Sequence, residues 1–294
     1  MKPIYKIMFF FSVGLTIVAV VLIAAFGLRF GADFKGGSVM ELVFNDQRPS
    51  VDELGKIIGA VKGVSDVSVS PAGDKDALIR LNDVDEETHQ NILGAISGKF
   101  GKITENRFDS IGPTIGNELK KKSVTAIIVL LLAVVIYLAI VFRKLSSVLS
   151  PWAMGIAAIA GLIHDVLVPI GLFALLGYYL NIEITSIFVA AVLTILGYSI
   201  SDSVVVFDRI RENVLRFGAR ENFGETVHRS VIQTLVRSLN TTFTTLLSLV
   251  AIFFFGGESI KYFALALIVG VFCGAYSSIF IASPILAWWG RGRR

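Results

Sequence analysis

The sequence predicts an α-helical membrane protein with six transmembrane helices and one small exported α+β domain. Three observations predict it. Six apolar runs reach or approach the ~18–20 residues that cross a bilayer: residues 7–28, 124–142, 148–178, 186–207, 238–255 and 262–288. Basic residues gather on alternate short loops. A single long polar segment, residues 29–122, carries helix and strand periodicities of its own.

Composition agrees. The chain has 294 residues, 54% hydrophobic and 17% charged, against about 25% charged in an ordinary soluble domain. The first run is too long for a signal-peptide core and lacks a clear small-residue cleavage site, so it reads as a retained anchor. The third and sixth runs exceed one crossing, and Pro151, Pro169 and Pro284 are candidate bending points. One cysteine, Cys273, excludes a disulfide framework within the chain.

Orientation follows from the short loops. Lys2, Lys6, Arg143, Lys144, Arg209, Arg211, Arg216, Arg220, Arg229, Arg291, Arg293 and Arg294 fall on one side, and the opposite short loops offer only Lys261. The positive-inside rule places both termini in the cytoplasm, with Trp288 and Trp289 at the inner interface. The predicted layout is a first transmembrane helix (1–28), an extracytoplasmic α+β domain (29–122), a five-helix bundle (123–290) and a basic tail (291–294).

Within the polar segment, residues 38–44 read as a strand, 51–61 as a helix with Val51, Leu54, Ile57, Ile58 and Val61 on one face, and 64–70 as a strand. Residues 77–81 read as a strand, 85–100 as a helix and 102–111 as a last strand. The order β-α-β-β-α-β is that of a ferredoxin-like split βαβ unit. In the bundle, residues 208–236 form a basic cytoplasmic loop with an apolar stripe of Ile210, Val214, Leu215, Val227, Val231 and Ile232. That stripe suits an amphipathic element on the inner leaflet or a solvated helical connector.

One carboxylate stands out. Asp202 lies inside the fourth apolar run, where a charge costs at least ~2.5–3.5 kcal/mol on insertion scales. Tyr198, Ser199, Ser201 and Ser203 make its surroundings unusually polar, and Gly197 permits a close helix neighbour. A protonatable carboxylate or cation site is one reading; a permanently paired structural carboxylate is the other. Arg237 opens the fifth run, which is antiparallel to the fourth, so the two residues share a depth and can pair. A snorkelling arginine is the plain alternative. His164-Asp165 in the third run reads as a proton path or as a satisfied polar pair between helices. Asn240, Thr241, Thr242, Thr244 and Thr245 suit hydrogen bonds across helices. Asp33, Phe34, Gly36 and Gly37 follow the first run, and the paired glycines suggest a tight turn into the domain. His89 and His228 read as lone surface residues. No HExxH, paired CxxC, phosphate loop or Ser/His/Asp order is present in the sequence. Neither an enzyme, nor a metal or other cofactor, nor a nucleic-acid partner is expected. Work would draw on an ion gradient.

Three motifs in order carry a family resemblance. Asp33-Phe-Lys-Gly-Gly37 matches a D-F-x-G-G pattern after a first span. Gly197-Tyr-Ser-Ile-Ser-Asp-Ser-Val-Val-Val-Phe-Asp-Arg-Ile-Arg-Glu212 and Arg237-Ser-Leu-Asn-Thr-Thr-Phe-Thr-Thr245 match the fourth and fifth spans. Together with the layout, they make the whole chain resemble the SecF family, membrane subunits of the SecDF protein-export complex in the resistance-nodulation-division superfamily. The resemblance implies a location in the cytoplasmic (inner) membrane and an obligate SecD partner. It implies further contact with the SecYEG translocon, YajC, YidC, translocating preproteins and membrane lipids. It also implies use of the proton motive force, or of sodium, in late preprotein release, with Asp202 and Arg237 in ion coupling. Two rivals remain: a half-size exporter of small molecules or lipids from the same superfamily, and a purely structural subunit.

Overall fold

The structure, a computed structural model, describes residues 2–142, 151–217 and 222–290. Arg143, Lys144, Arg220 and the tail 291–294, used above for orientation, lie outside the described residues, as does the start of the third run. The described chain forms two compact units.

The first unit is Phe30–Val124 with Ile184–Ser186. It contains α2 (Ala32–Lys35), β1 (Gly37–Phe44), α3 (Val51–Gly59), β2 (Ser68–Pro71), β3 (Asp76–Leu81), α4 (Glu86–Phe100) and β4 (Ile103–Ile111). The sheet is antiparallel in the order β2-β3-β1-β4, the predicted ferredoxin-like topology. Alternation along the strands decides the core. Met40, Leu42 and Phe44 of β1 and Ala77, Ile79 and Leu81 of β3 are buried with Leu54 and Ile58 of α3 and Ile92 and Ile96 of α4. Both helices start on side-chain caps. Ser50 Oγ accepts from Glu53 N at 3.3 Å, an N-cap, and donates to Glu53 Oε2 at 3.1 Å. The Asp85 carboxylate accepts from Thr88 N at 3.0 Å.

Two local expectations are corrected. The strand expected over residues 64–70 is only Ser68–Pro71. Ser65 N donates to Asn82 Oδ1 at 2.6 Å, so a side chain holds this stretch in place of a ladder. His89 is not a surface residue but 4% exposed. Its Nε2 lies 2.7 Å from Glu105 Oε1 and its ring stacks on Phe108 with centroids 3.8 Å apart.

The second unit is the bundle: α1 (Pro3–Phe26), the body of α5 (Pro113–Val141), α6 (Pro151–Leu180), α7 (Ser186–Phe217), α8 (Phe223–Phe255), α9 (Glu258–Ser277) and α10 (Ser283–Trp289). Among the described residues six helical stretches are long and apolar enough to cross a membrane. Pro169 leaves α6 unbroken. Before Pro284 the chain makes a π-helical turn, Ser278–Ala282, closed by Ser283 N–H on Ser278 O. Proline has no N–H to continue the ladder, and Ser283 Oγ adds a 2.7 Å bond to the same carbonyl. Residues 208–236 are not a separate amphipathic element: α7 runs on to Phe217 and α8 starts at Phe223. Much of the stripe is buried within the protein, with Ile210 and Val227 fully so, while Leu215 and Ile232 are exposed. Asn213 Nδ2 donates to Ser230 Oγ at 2.8 Å and to Gln233 Oε1 at 2.9 Å, joining α7 to α8. His228 is likewise not lone: its Nδ1 lies 2.8 Å from Tyr5 Oη in α1.

Small residues set the helix spacing. A Cβ on Gly171 of α6 would come within 2.7 Å of Ala19 of α1, and one on Gly274 of α9 within 3.1 Å of Ser199 Cβ of α7. Gly197, expected to be such a contact, has nothing within 4 Å of an added Cβ.

Candidate functional site

Asp202 lies on α7 at 7% exposure. Among the described residues four buried side-chain atoms have no hydrogen-bond partner: Arg48 Nε, His164 Nε2, Asp202 Oδ2 and Ser238 Oγ. Asp202 and Ser238 line the same cavity of about 340 Å³ between α7 and α8. Tyr198, Ser201, Arg237, Thr241, Thr244 and Thr245 complete its polar wall. A water takes about 30 Å³ of liquid volume, so the space holds several waters or a hydrated cation. A carboxylate that lines such a space with one oxygen unpartnered is a proton or cation acceptor by chemistry.

The expected Asp202–Arg237 ion pair is not formed. Arg237 is exposed and lines the cavity, and no salt bridge joins the two. The threonine expectation needs correcting too. Thr241 Oγ1 donates to Arg237 O at 3.1 Å and Thr245 Oγ1 to Thr241 O at 2.9 Å, both within α8. Thr244 Oγ1 donates to Asn240 O at 2.9 Å, and Asn240 is exposed. Only Thr242 bonds across, accepting from Tyr198 Oη at 3.3 Å. The back-bonded hydroxyls keep their lone pairs free to accept, so they line the cavity with oxygen acceptors.

A second node meets α7 one turn before Asp202, at Ser199. Asp165 of α6 is fully buried. Its Oδ2 accepts from Ser199 Oγ at 2.5 Å and Ser277 Oγ at 2.7 Å, and its Oδ1 lies 2.9 Å from His164 Nδ1. The sequence left Asp165 without an in-line partner because Ser277 is remote, on α9. Gly274 stands one turn before it, and with Gly270 forms a small-xxx-small spacing that is readable in the sequence. His164 faces Tyr276 with ring centroids 6.2 Å apart, and Tyr276 Oη donates to Met8 O of α1 at 3.0 Å.

The Asp33 motif is a junction within the sheet unit. Asp33 Oδ2 accepts from Ser186 N at 2.6 Å and from Ser186 Oγ, capping the start of α7. Phe34 is buried. Gly36 and Gly37 have φ of 82° and 142°, and a Cβ there would strike Pro113 at 2.8 Å and Leu81 O at 2.7 Å.

Comparison with known proteins places this arrangement. The family of protein export membrane proteins SecD/SecF, C-terminal part, matches residues 93–292, and the SecD/SecF GG motif matches residues 21–47. The protein translocase subunit SecF of Thermobaculum terrenum is 39% identical over 95% of this chain and 90% of its own length. The chain belongs to the SecF family. The SecF of Anaerolinea thermophila is 37% identical over 96% of this chain and 92% of its own. The crystal structure of SecDF, a translocon-associated membrane protein from Thermus thermophilus, superposes with a TM-score of 0.84 at 33% identity. It covers 98% of this chain, and this chain spans 38% of that one. SecDF in a super-membrane-facing form matches with a TM-score of 0.68. Six apolar helices together with SecF relatives make this a multi-pass membrane protein.

Proposed function

We propose that this SecF-family chain pairs with SecD and couples an ion gradient to late preprotein translocation and release across the cytoplasmic membrane. Both termini lie in the cytoplasm, and the sheet unit works on the outer side. The coupling ion is H⁺ or Na⁺. The further partners are SecYEG, YajC, YidC, the preprotein and membrane lipid.

The observation that supports this reading best is the Asp202 cavity. Asp202 Oδ2 and Ser238 Oγ are buried without partners, and both residues line a polar space of about 340 Å³. Each orphaned polar atom costs roughly 1–3 kcal/mol, which a purely structural subunit gains nothing by keeping. Arg237 stands at the rim unpaired with Asp202. It is placed to repel a second cation or to close on the carboxylate once the ion leaves. The rival small-molecule exporter finds no such support in the sheet unit, whose interior is filled by Met40, Leu42, Ile79 and Ile92 at 0% exposure.

The test is preprotein release from vesicles holding the assembled complex, with a proton gradient and a sodium gradient imposed separately. Acceleration under one of them supports the reading and names the ion. Release that responds to neither contradicts it.

A further inference from the structure

We propose that His164 and Asp165 form a second proton-binding site in the bundle, which carries its proton on Nε2 of His164. It goes beyond the Asp202 reading and does not rest on it.

The argument begins with hydrogen-bond capacity. Asp165 Oδ2 accepts from Ser199 Oγ and Ser277 Oγ, and Oδ1 lies 2.9 Å from His164 Nδ1. In the proposed site Asp165 is the anion that these hydroxyls serve, and Nδ1 of the neighbouring ring carries the hydrogen shared with Oδ1. That leaves Nε2 as the ring's second nitrogen, buried and without a partner. The residue itself is 1% exposed. A neutral ring therefore holds a bare acceptor buried away from bulk water.

Charge strengthens the argument. With a neutral ring the dyad holds a net negative charge among three packed helices, and such a charge is costly there. Hydronium gives one proton to the Nε2 lone pair: its O–H bond breaks as the N–H bond forms, water leaves, and the dyad becomes a neutral ion pair. Return of that proton to water restores the anion.

The surroundings are named residues. On α7, Ser199 bonds to Asp165 and Asp202 follows three residues later. On α9, Ser277 bonds to Asp165 and Tyr276 stacks on His164. Tyr276 continues to Met8 and Ser12 of α1. Among the described residues the titratable groups in contact with the ring are Asp165 and Tyr276, and neither is a cation that could supply what a proton supplies. A merely structural donor to Asp165 needs no second nitrogen, and an asparagine side chain would serve with less left unpaired.

The experiment reads the ring directly. The full-length chain carries three histidines, so ¹⁵N-histidine labelling gives three rings. The labelled chain is placed in lipid vesicles with unlabelled SecD, and His164→Gln identifies its signals. The expected result is a neutral ring with hydrogen on Nδ1 at alkaline pH that gains one proton on Nε2 as the pH falls. The same change is expected in Asp202→Asn. A His164 ring that keeps one neutral form over the whole pH range in which the protein stays folded overturns the proposal. So does a ring that titrates only when Asp202 is intact. Gradient-driven release measured on the same Asp202→Asn samples separates the two readings: unchanged release refutes the Asp202 coupling site and leaves the His164 titration to decide this one.

Discussion

Ser199 donates a 2.5 Å hydrogen bond to Asp165, while Asp202, three residues further along α7, keeps one oxygen without a partner. One helix thus serves two buried carboxylates of opposite character. Asp165 is held by donors from α6, α7 and α9. Asp202 opens onto a cavity. A satisfied carboxylate fixes packing, and an unsatisfied one is free to bind and release a cation, which is the ground for the coupling role proposed for Asp202.

Gly274→Leu should break the Asp165 node. An added Cβ already comes within 3.1 Å of Ser199 Cβ, so a larger side chain forces α9 from α7. Overpacking of this kind costs about 1–3 kcal/mol. Thermal unfolding of the purified complex should fall, with Gly274→Ala much milder. Equal stability of Gly274→Leu and wild type would show that the α7–α9 approach is not tight.

Arg237→Met should leave folding almost unchanged, because Arg237 is exposed and makes no salt bridge with Asp202. Exposed surface changes shift stability by about 0.5 kcal/mol or less. Gradient-dependent release should nonetheless drop several-fold. A large loss of stability with normal release per folded molecule would reverse the assignment.

Gly37→Ala should destabilise the sheet unit by about 1–3 kcal/mol. Its φ is 142° and the new Cβ would meet Leu81 O at 2.7 Å. Hydrogen exchange along β1 of the full chain should quicken. Unchanged exchange would mean the junction tolerates a side chain.

The start of α4 should respond to acid. The Thr88 backbone and side-chain bonds hold the Asp85 carboxyl below its ordinary value, and Gln90 and then His89 do the same for Glu86. Groups depressed in the folded state stabilise it above their unfolded values, and that contribution is lost as pH falls through the folded values. The protection of the Thr88 and His89 amides, relative to their intrinsic exchange at each pH, should therefore fall as the pH drops below the ordinary carboxylate range. In Asp85→Ala that protection should be lost already at neutral pH. A flat acid response in wild type would contradict the cap.

Much of this architecture is legible in the residues. Run length gives the six spans, and period-2 against period-3.6 patterning gives the β-α-β-β-α-β order. The cost of a charge in an apolar run singles out Asp202. What depends on contacts between distant segments is less visible. Ser277 has no feature that points to Asp165; it matters because Gly274 lets α9 approach. The stripe at Ile210 and Val231 has the period of an interfacial helix, and only tertiary packing decides that protein covers much of it. His89 sits in a polar stretch, yet Phe108 and Glu105 on β4 bury it. Equal depth in antiparallel helices does bring Arg237 and Asp202 to one cavity, but not within salt-bridge distance.

The most direct test of the central claim compares wild type with Asp202→Asn in vesicles, at matched levels of assembled complex. Preprotein release is followed with and without an imposed ion gradient. The account predicts that the gradient accelerates release in wild type and not in Asp202→Asn, with gradient-free release the same in both. Equal acceleration in the two proteins would contradict it and make Asp202 a structural residue.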